Sequence, residues 1–551
     1  MPRLSSALSY ENGRPASAAS DRSESPSNGL ASSQNLEEIS WVIQKFGGTS
    51  VGKMPVQIVD NIVAAHIKKY RVAIVCSARS TDTKAEGTTN RYGADYNPPA
   101  ALLRAAEHAL KKDSTKHLEV VDDIREDHLS VSRKLIKDQS ILEDLENKIN
   151  QECDLLARFL SAAQVIDEIS PRTKDSIIGA GEKLSCLFMA SLLNDRGVPA
   201  QYVNLDTIIP IGYNIKNGID QSFYDHIATE IAKKIVECGD KVPVITGYFG
   251  VVPGGLLEAI GRGYTDLCAA LAAVGMNADE LQVWKEVDGI FTADPRKVPT
   301  ARLIPMITPD EAAELTYYGS EVIHPFTMEQ VIRAHIPIRI KNVENPTGDG
   351  TIIYPDNISR KGDVTPPHPP TALERISSGF FHAKKKEPTA VTTKQNITVI
   401  NVHSNKRFHS HGFMAEIFGI LHKHEIVVDL ISTSEVHVSM ALHSEMRDQD
   451  LHLAVEDIKR LGTVDVIRNM TIVSLVGKQM KQLVGIAGRM FSTLAEAEVN
   501  IEMISQGASE INISCVIQEK DALKALNVLH QKLLCQPAIP DLLDSRPWLL
   551  N

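Results

Sequence analysis

The chain lacks several features that would classify it at once. Its seven cysteines, in 551 residues, are scattered singly at 76, 153, 186, 238, 268, 515 and 535. None forms a Cys-x-x-Cys pair or joins a histidine cluster, so a zinc site is not expected. An odd, sparse set also argues against a disulfide framework and for free thiols in a reducing, cytoplasmic setting. No apolar run reaches bilayer-spanning length and no signal-peptide apolar region follows Met1, so no membrane partner is expected. Positive charge is short too. Against 69 Asp and Glu stand 58 Lys and Arg, a net charge of −11, which argues against a nucleic-acid partner. A chain this acidic that handles small anions must gather its basic groups locally. The rest is ordinary for globular protein, 43% hydrophobic and 23% charged, in a chain too long for one core.

Residues 1–38 are rich in Ser, Ala, Asn and Pro and hold too few large apolar side chains to offset ordering entropy, so a disordered tail is expected. From 39 to 355 strand-like runs ("WVIQKF", "VAIVCS", "KVPVITGYFG") alternate with helical spacing ("VQIVDNIVAAHIKK", "DLCAALAAVGM"). That alternation predicts an α/β domain with a central, mainly parallel sheet. A charged helical stretch at about 108–170 reads as a solvated insertion. Residues 356–392, Pro-rich and then basic at Lys384 to Lys386, read as a linker. Beyond it the sequence repeats. "VVDLIS" (427–432) and "SEVHVS" (from Ser434) return as "NIEMIS" (500–505) and "SEINIS" (from Ser509). Alternation such as Ile511, Ile513 and Cys515 against Asn512 and Ser514 gives strands, and the repeat predicts tandem βαββαβ units at 393–468 and 469–540.

Four segments carry candidate chemistry. "KFGGTSVGKM" (45–54) nearly spells a P-loop, but Met54 stands where Ser or Thr would bind magnesium, and a thioether does not hold a hard cation. Glycines at the end of a strand let backbone N–H groups approach phosphate oxygens, so Lys45, ahead of Gly47 and Gly48, is a better candidate than Lys53; a plain glycine turn with surface lysines is the competing reading. In "GRGYTDLCAAL", Arg262 either clamps a carboxylate bidentately or simply precedes a helix capped by Thr265 and Asp266. In "GAGEKLS", Glu182 follows a glycine at what reads as a helix start, and either binds an ammonium group or caps the helix. "VWKEVDGIFTADPRKV" reads as an irregular nucleotide-edge loop carrying Lys285, Arg296 and Lys297.

Taken in order, "KFGGTSVG", "VCSA", "GEKLS", "TGYFG…GRGYTD", "WKEVDGIFTADPR" and "YYGSEVIHP" resemble the aspartokinases, specifically the monofunctional fungal type. The resemblance implies an amino-acid kinase fold followed by two ferredoxin-like ACT domains. It implies transfer of the ATP γ-phosphoryl group to L-aspartate, giving 4-phospho-L-aspartate, with Mg2+. Lys45, Gly47 and Gly48 would then contact the transferring group. Thr49, Ser77 and Thr89 would line the aspartate pocket, Glu182 and Arg262 would hold the substrate's charged ends, and Asp266 belongs to the same "GRGxxD" segment. Lys285, Glu286, Phe291 and Arg296 would surround the nucleotide. The tandem ACT repeat implies a homo-oligomer and an amino-acid effector, L-threonine for this branch, with Asp429, Ser432, Ser434 and Glu435 at its site. The sequence departs from many bacterial relatives at Glu321, where they carry a lysine that reaches ATP. Kinases for other small acids usually lack the ACT repeat, which disfavours them. The chemistry agrees with the residue inventory. A substrate carboxylate with pKa of roughly 4 is already ionised at pH 7 and needs no general base. The reaction needs alignment of two anions and stabilisation of the transferring phosphoryl group.

Overall fold

The computed structural model describes residues 40–80, 101–111, 115–209, 219–250, 263–317, 325–354, 387–404, 412–434, 436–443, 448–478, 483–507 and 511–535, with a few isolated positions between. The expected tail, most of the expected linker, Thr89, Arg262, Glu321 and Glu435 lie outside the described residues.

The apolar runs of the first 350 residues become one eight-stranded sheet. Its strands are β1 (Trp41–Phe46), β2 (Arg71–Cys76), β3 (Ala200–Val203), β4 (Val242–Thr246), β5 (Glu280–Lys285), β6 (Met306–Ile307), β7 (Ile338–Asn342) and β8 (Thr351–Ile353). The order is β3-β4-β2-β1-β5-β7-β8-β6, and every neighbouring pair is parallel except β7 with β8. Near-continuous apolar strands arise because both faces are covered. Ile43, Ala73, Val75, Ile245 and Leu281 point to one core, shared with the helices Gln221–Val236 and Tyr264–Gly275. Phe46, Val72, Ile74, Cys76, Val244 and Trp284 point to the other. The long helix Pro171–Asp195 packs there, started by Ser170, whose hydroxyl accepts from Thr173 N–H, and by Pro171. This helix has the length and apolar composition to cross a membrane but is largely buried inside the fold.

The charged insertion forms the helices Lys116–Leu135 and Gln139–Ile166. Its reading as a solvated element needs correction on one side. Val121, Ile124, Leu129, Leu145, Ile149, Cys153, Leu156 and Leu160 are buried in the second core, and only the outer faces are solvated.

The C-terminal third forms an antiparallel six-stranded sheet in the order β10-β11-β9-β12-β14-β13. Here β9 is Ala390–Ser404, β10 Val428–Thr433, β11 His437–His443, β12 Gly462–Val476, β13 Met503–Ser505 and β14 Asn512–Gln518. Both 15-residue strands, β9 and β12, are shared by two units. The second half of β9 pairs with β11 and with Gly462 to Ile467, over the helices Phe413–Lys423 and Asp448–Ile458. Its first half, Ala390 to Lys394, pairs with Ile472 to Val476, beside β14 and β13 and over the helices Ile486–Glu496 and Ala522–Leu529. The register of the β9–β12 pair shifts where Asn396 (φ 57°) and Asn469 (φ 60°) stand. Both take the left-handed conformation, which asparagine tolerates better than most residues, and each strand thereby divides into two usable halves.

The two ferredoxin-like units are therefore present, but the second is permuted. Its fourth strand place is filled by Ala390 to Lys394, upstream of the first unit, rather than by residues after Leu529. The expected boundaries at 392/393 and 468/469 fall inside β9 and β12. A repeat in sequence shows that two units exist; it does not show which strand closes each sheet.

One helix of the α/β domain, Pro309–Tyr317, docks on this sheet. Glu311, Glu314 and Tyr317 follow i, i+3, i+6 spacing and so share a face. Glu311 Oε1 accepts from Thr389 Oγ1 (2.6 Å) and Lys478 N–H (2.7 Å), and Glu314 Oε2 accepts from Asn512 Nδ2 (2.6 Å).

Candidate active site

The parallel strands β4, β2, β1 and β5 are adjacent and end on the same edge of the sheet. Loops that leave this edge therefore converge, which is where open α/β sheets place ligands. Lys45 is the penultimate residue of β1 and is 9% exposed. Its Nζ lies 2.7 Å from Asp266 Oδ1 in the first turn of the Tyr264–Gly275 helix. Little solvent screens this pair, and the carboxylate fixes where the ammonium points. Thr265 and Asp266 do not cap this helix as expected. Gly263 (φ 88°) is the cap, and both residues lie inside the first turn. Gly247, where β4 breaks, admits that turn. A Cβ there would lie 2.5 Å from Thr265 Oγ1.

After β1, Gly47 precedes a short helix, Gly48–Lys53. The glycines divide the work. A Cβ on Gly48 would lie 2.2 Å from Ala78 O, and one on Gly52 would lie 2.1 Å from Ser80 O, so these two allow backbone to touch backbone. A Cβ on Gly47 meets nothing within 4 Å, so Gly47 is the glycine on open space. Ser77 and Ser80 are held to the same turn. Ser77 N–H donates to Phe46 O (3.1 Å) and Ser80 N–H to Gly48 O (3.0 Å). Thr49 is half-buried, and Lys53 is exposed at the far end of the helix. Ser50, fully buried, donates to Glu286 Oε1 (2.7 Å) and joins this turn to the residue after β5.

Glu182 is not at a helix start. It lies in the middle of Pro171–Asp195 and is 0% exposed. The helix runs through "GAG" because Gly179 lets the Tyr248 ring pack on it; a Cβ there would lie 2.8 Å from the ring. Both carboxylate oxygens are engaged. Tyr248 N–H donates to Oε2 (2.6 Å) and Thr265 Oγ1 to Oε1 (2.7 Å). Burial lifts its pKa to about 7, against the opposing pull of bonds from Thr265, Tyr264 and Tyr248 and of the Lys45 charge. Glu182 thus ties the loop after β4 to the helix that carries Asp266.

The nucleotide-edge residues separate. Lys285 ends β5 half-buried, with its carbonyl accepting from Val343 N–H (2.9 Å). Phe291 lines a cavity of about 220 Å³ with Asp288, Leu303, Asn342, Asn345, Gly348 and Gly350, at the ends of β5 and β7. Arg296 is not brought to this edge. Its side chain is 88% exposed, and it grips Asp294 through Nε (3.0 Å) and Nη2 (3.1 Å). In the C-terminal sheet, the Asp429 side chain is 3% exposed, and its Oδ1 accepts from Lys394 Nζ (2.8 Å) and Tyr317 Oη (2.9 Å). Ser432 is exposed. Ser434 closes the β10–β11 turn, accepting from His437 N–H at Oγ (3.2 Å). Sequence reasoning passed over Ser50, Tyr248 and Thr265 as site-builders. Their partners lie 66 to 236 residues away along the chain, and no local pattern announces them.

Comparison with known proteins decides the family. Residues 40–342 match the amino acid kinase family and residues 473–533 match an ACT domain. The chain is 58% identical over 503 residues to the aspartokinase of Candida albicans, covering 90% of each chain. The chain belongs to the aspartokinase family. The aspartokinase of Schizosaccharomyces pombe is 55% identical, with 93% of this chain and 97% of that one covered. Among solved structures, E. coli aspartokinase III in complex with lysine and aspartate superposes with a TM-score of 0.68 at 26% identity, covering 90% of this chain and 99% of that one. An aspartokinase transfers the ATP γ-phosphoryl group to the side-chain carboxylate of L-aspartate, the first step toward homoserine, threonine and methionine. In this aspartokinase the matched kinase region and the C-terminal sheet meet along the Glu311, Glu314 and Tyr317 face.

Proposed function

We propose that phosphoryl transfer takes place at the sheet edge bounded by Lys45, Gly47, Ser77 and Glu286. The observation that carries this reading is the Lys45–Asp266 pair, a buried ammonium aimed by a carboxylate at the mouth of β1. Lys45 stabilises the charge on the transferring group, and N–H groups of the Gly47–Gly48 turn add fixed donors. Thr49 and Ser77 face the aspartate side, with Thr89 and Arg262 as its further members. Glu182 acts as a positioning residue here rather than as an open ammonium site, since its oxygens already hold Tyr248 and Thr265. Lys285, Glu286 and Phe291 take the nucleotide side. Mg2+ arriving with ATP would neutralise part of the triphosphate charge. Among the described residues no three His, Cys, Asp or Glu side chains gather around one point, which suits an ion held mainly by phosphate oxygens and water, with Glu286 the nearby hard donor.

Threonine is taken as the effector on the resemblance to the fungal type, and an amino-acid effector is supported by the E. coli relative's complex with lysine. We take the effector site to be Asp429 and Ser432 on β10, with Ser434 and Glu435 next in sequence beyond it. The strands β10 and β13 form the edges of the regulatory sheet, and open edges favour pairing with a second copy, hence a homo-oligomer. All seven cysteines are free thiols, in keeping with a cytoplasmic enzyme.

The test is ATP turnover with aspartate against glutamate, with and without threonine, for wild type and Lys45→Met. The variant is expected to lose about 3 kcal/mol or more of barrier lowering while remaining folded. Near-normal turnover in a folded Lys45→Met enzyme removes the site.

A further inference from the structure

Arg79 is among the largest fully buried side chains, 1% exposed, and no role described so far uses it. It stands between two residues that touch the glycine turn. On one side Ala78 O packs against Gly48; on the other Ser80 bonds Gly48 O through both N–H and Oγ, and its carbonyl packs against Gly52. The Arg79 backbone N–H donates to Ser185 Oγ (2.6 Å), and that hydroxyl donates in turn to Gly181 O (3.0 Å), one turn along the helix that carries Glu182. The guanidinium reaches the other way and pairs with Asp127 of the Lys116–Leu135 helix, in the charged insertion. The next residue, His128, is fully buried against the same group, and burial together with the Arg79 charge holds its imidazole well below the usual histidine range.

Desolvating a guanidinium costs several kcal/mol, and a hydrophobic side chain would fill the space more cheaply. Its directional hold is what an apolar residue lacks. We infer that Arg79 is a positioning residue for phosphoryl transfer: its pair with Asp127 fixes the 77–80 segment against the Gly48–Gly52 turn, so the helical insertion sets the geometry of the phosphoryl site. This rests on the reading that Lys45 and the Gly47–Gly48 turn carry the transfer. Misplacing such a turn by about 1 Å costs up to a hundredfold in rate, while leaving nucleotide affinity, made by β5 and its loop, nearly intact.

The experiment measures kcat, the KM values for ATP and aspartate, and the thermal midpoint for Arg79→Lys, Asp127→Asn, Asp127→Glu and the double variant Arg79→Met/Asp127→Leu. Lys45→Met is run beside them. Both Arg79→Lys and Asp127→Asn are expected to lower kcat per folded enzyme about tenfold or more, with the KM for ATP within about twofold. Asp127→Glu, which keeps the charge, is expected to recover most of the loss. The double variant is expected to regain the wild-type thermal midpoint, since apolar side chains replace a desolvated guanidinium and its half-buried partner, yet to stay as slow as the single ones. If kcat simply follows thermal midpoint across the set, or is unchanged in the folded variants, the inference is overturned. If the single variants do not fold, a double variant with wild-type kcat overturns it equally. Loss of turnover in Lys45→Met with none in the Asp127 set rejects this inference alone; full turnover in Lys45→Met rejects the site reading beneath it.

Discussion

Tyr317, the last residue of a kinase-domain helix, donates its hydroxyl to Asp429 Oδ1 on β10 of the C-terminal sheet at 2.9 Å. Lys394 Nζ shares that oxygen at 2.8 Å and lies 4.6 Å from the centre of the Tyr317 ring. An effector ammonium that reaches Asp429 must therefore compete with Lys394, and the contest is felt by Tyr317. The residues that follow Tyr317 are "YGSEVIHP", the segment that carries Glu321.

Replacing Tyr317 by Phe keeps the ring under Lys394 and removes only the hydroxyl. Threonine binding, measured by calorimetry, is expected to stay within about twofold. The depth of inhibition is expected to fall, because a bond to a charged acceptor worth about 1 kcal/mol after solvent exposure no longer links the two sites. Asp429→Asn is expected to weaken threonine binding itself. Wild-type inhibition curves in both variants would remove β10 as the effector site.

The glycines of "KFGGTSVG" should separate in a substitution series. Gly52→Ala places a methyl 2.1 Å from Ser80 O, so it is expected to cost about 1–3 kcal/mol of stability and to displace the 77–80 segment. Gly47→Ala has open space and an extended backbone (φ −71°, ψ 159°), so stability should move by less than about 0.5 kcal/mol while turnover falls as the methyl enters the phosphate path. Urea denaturation and steady-state rates on the same samples check both. Equal stability losses would contradict the division of roles.

Glu182 predicts a pH dependence of stability. Its pKa is raised from 4.5 to about 7 on folding, so its contribution is fully present below pH 4.5 and is lost as pH rises through about 7. That loss is on the order of 3 kcal/mol. Glu182→Gln cannot titrate, so its stability should be flatter than that of wild type between pH 4.5 and 7. Parallel wild-type and variant curves over that window, from denaturation at several pH values, would show that the carboxyl is not lifted by burial.

Much of this was legible in the sequence because it is local. The glycines after β1 and the repeated "DLIS" and "EMIS" strands each occupy a few consecutive residues with their own steric signature. What was not legible depends on distant partners. "GAGEKLS" reads as a helix start because glycines usually interrupt helices; only the Tyr248 ring, brought over by β4, explains why this one continues. Arg296 reads as a free cation until Asp294 is seen to hold its fork. The insertion reads as solvent-facing from its charges, although one of them, Asp127, neutralises a buried arginine 48 residues upstream.

The borrowed strand has a consequence for biosynthesis. Ala390 to Lys394 leaves the ribosome before the first ACT unit exists, while its partner, Ile472 to Val476, follows about 80 residues later. At translation rates of about 5–20 residues per second that is a wait of roughly 4–16 s with an unpaired edge. The first unit can close during this interval, but the second cannot close until the far end of the chain returns to a strand made before it. The C-terminal sheet is therefore completed last. A chain cut between residues 394 and 397 separates the second unit from its own fourth strand, whereas a cut ahead of Ala390 keeps that strand with the unit it completes.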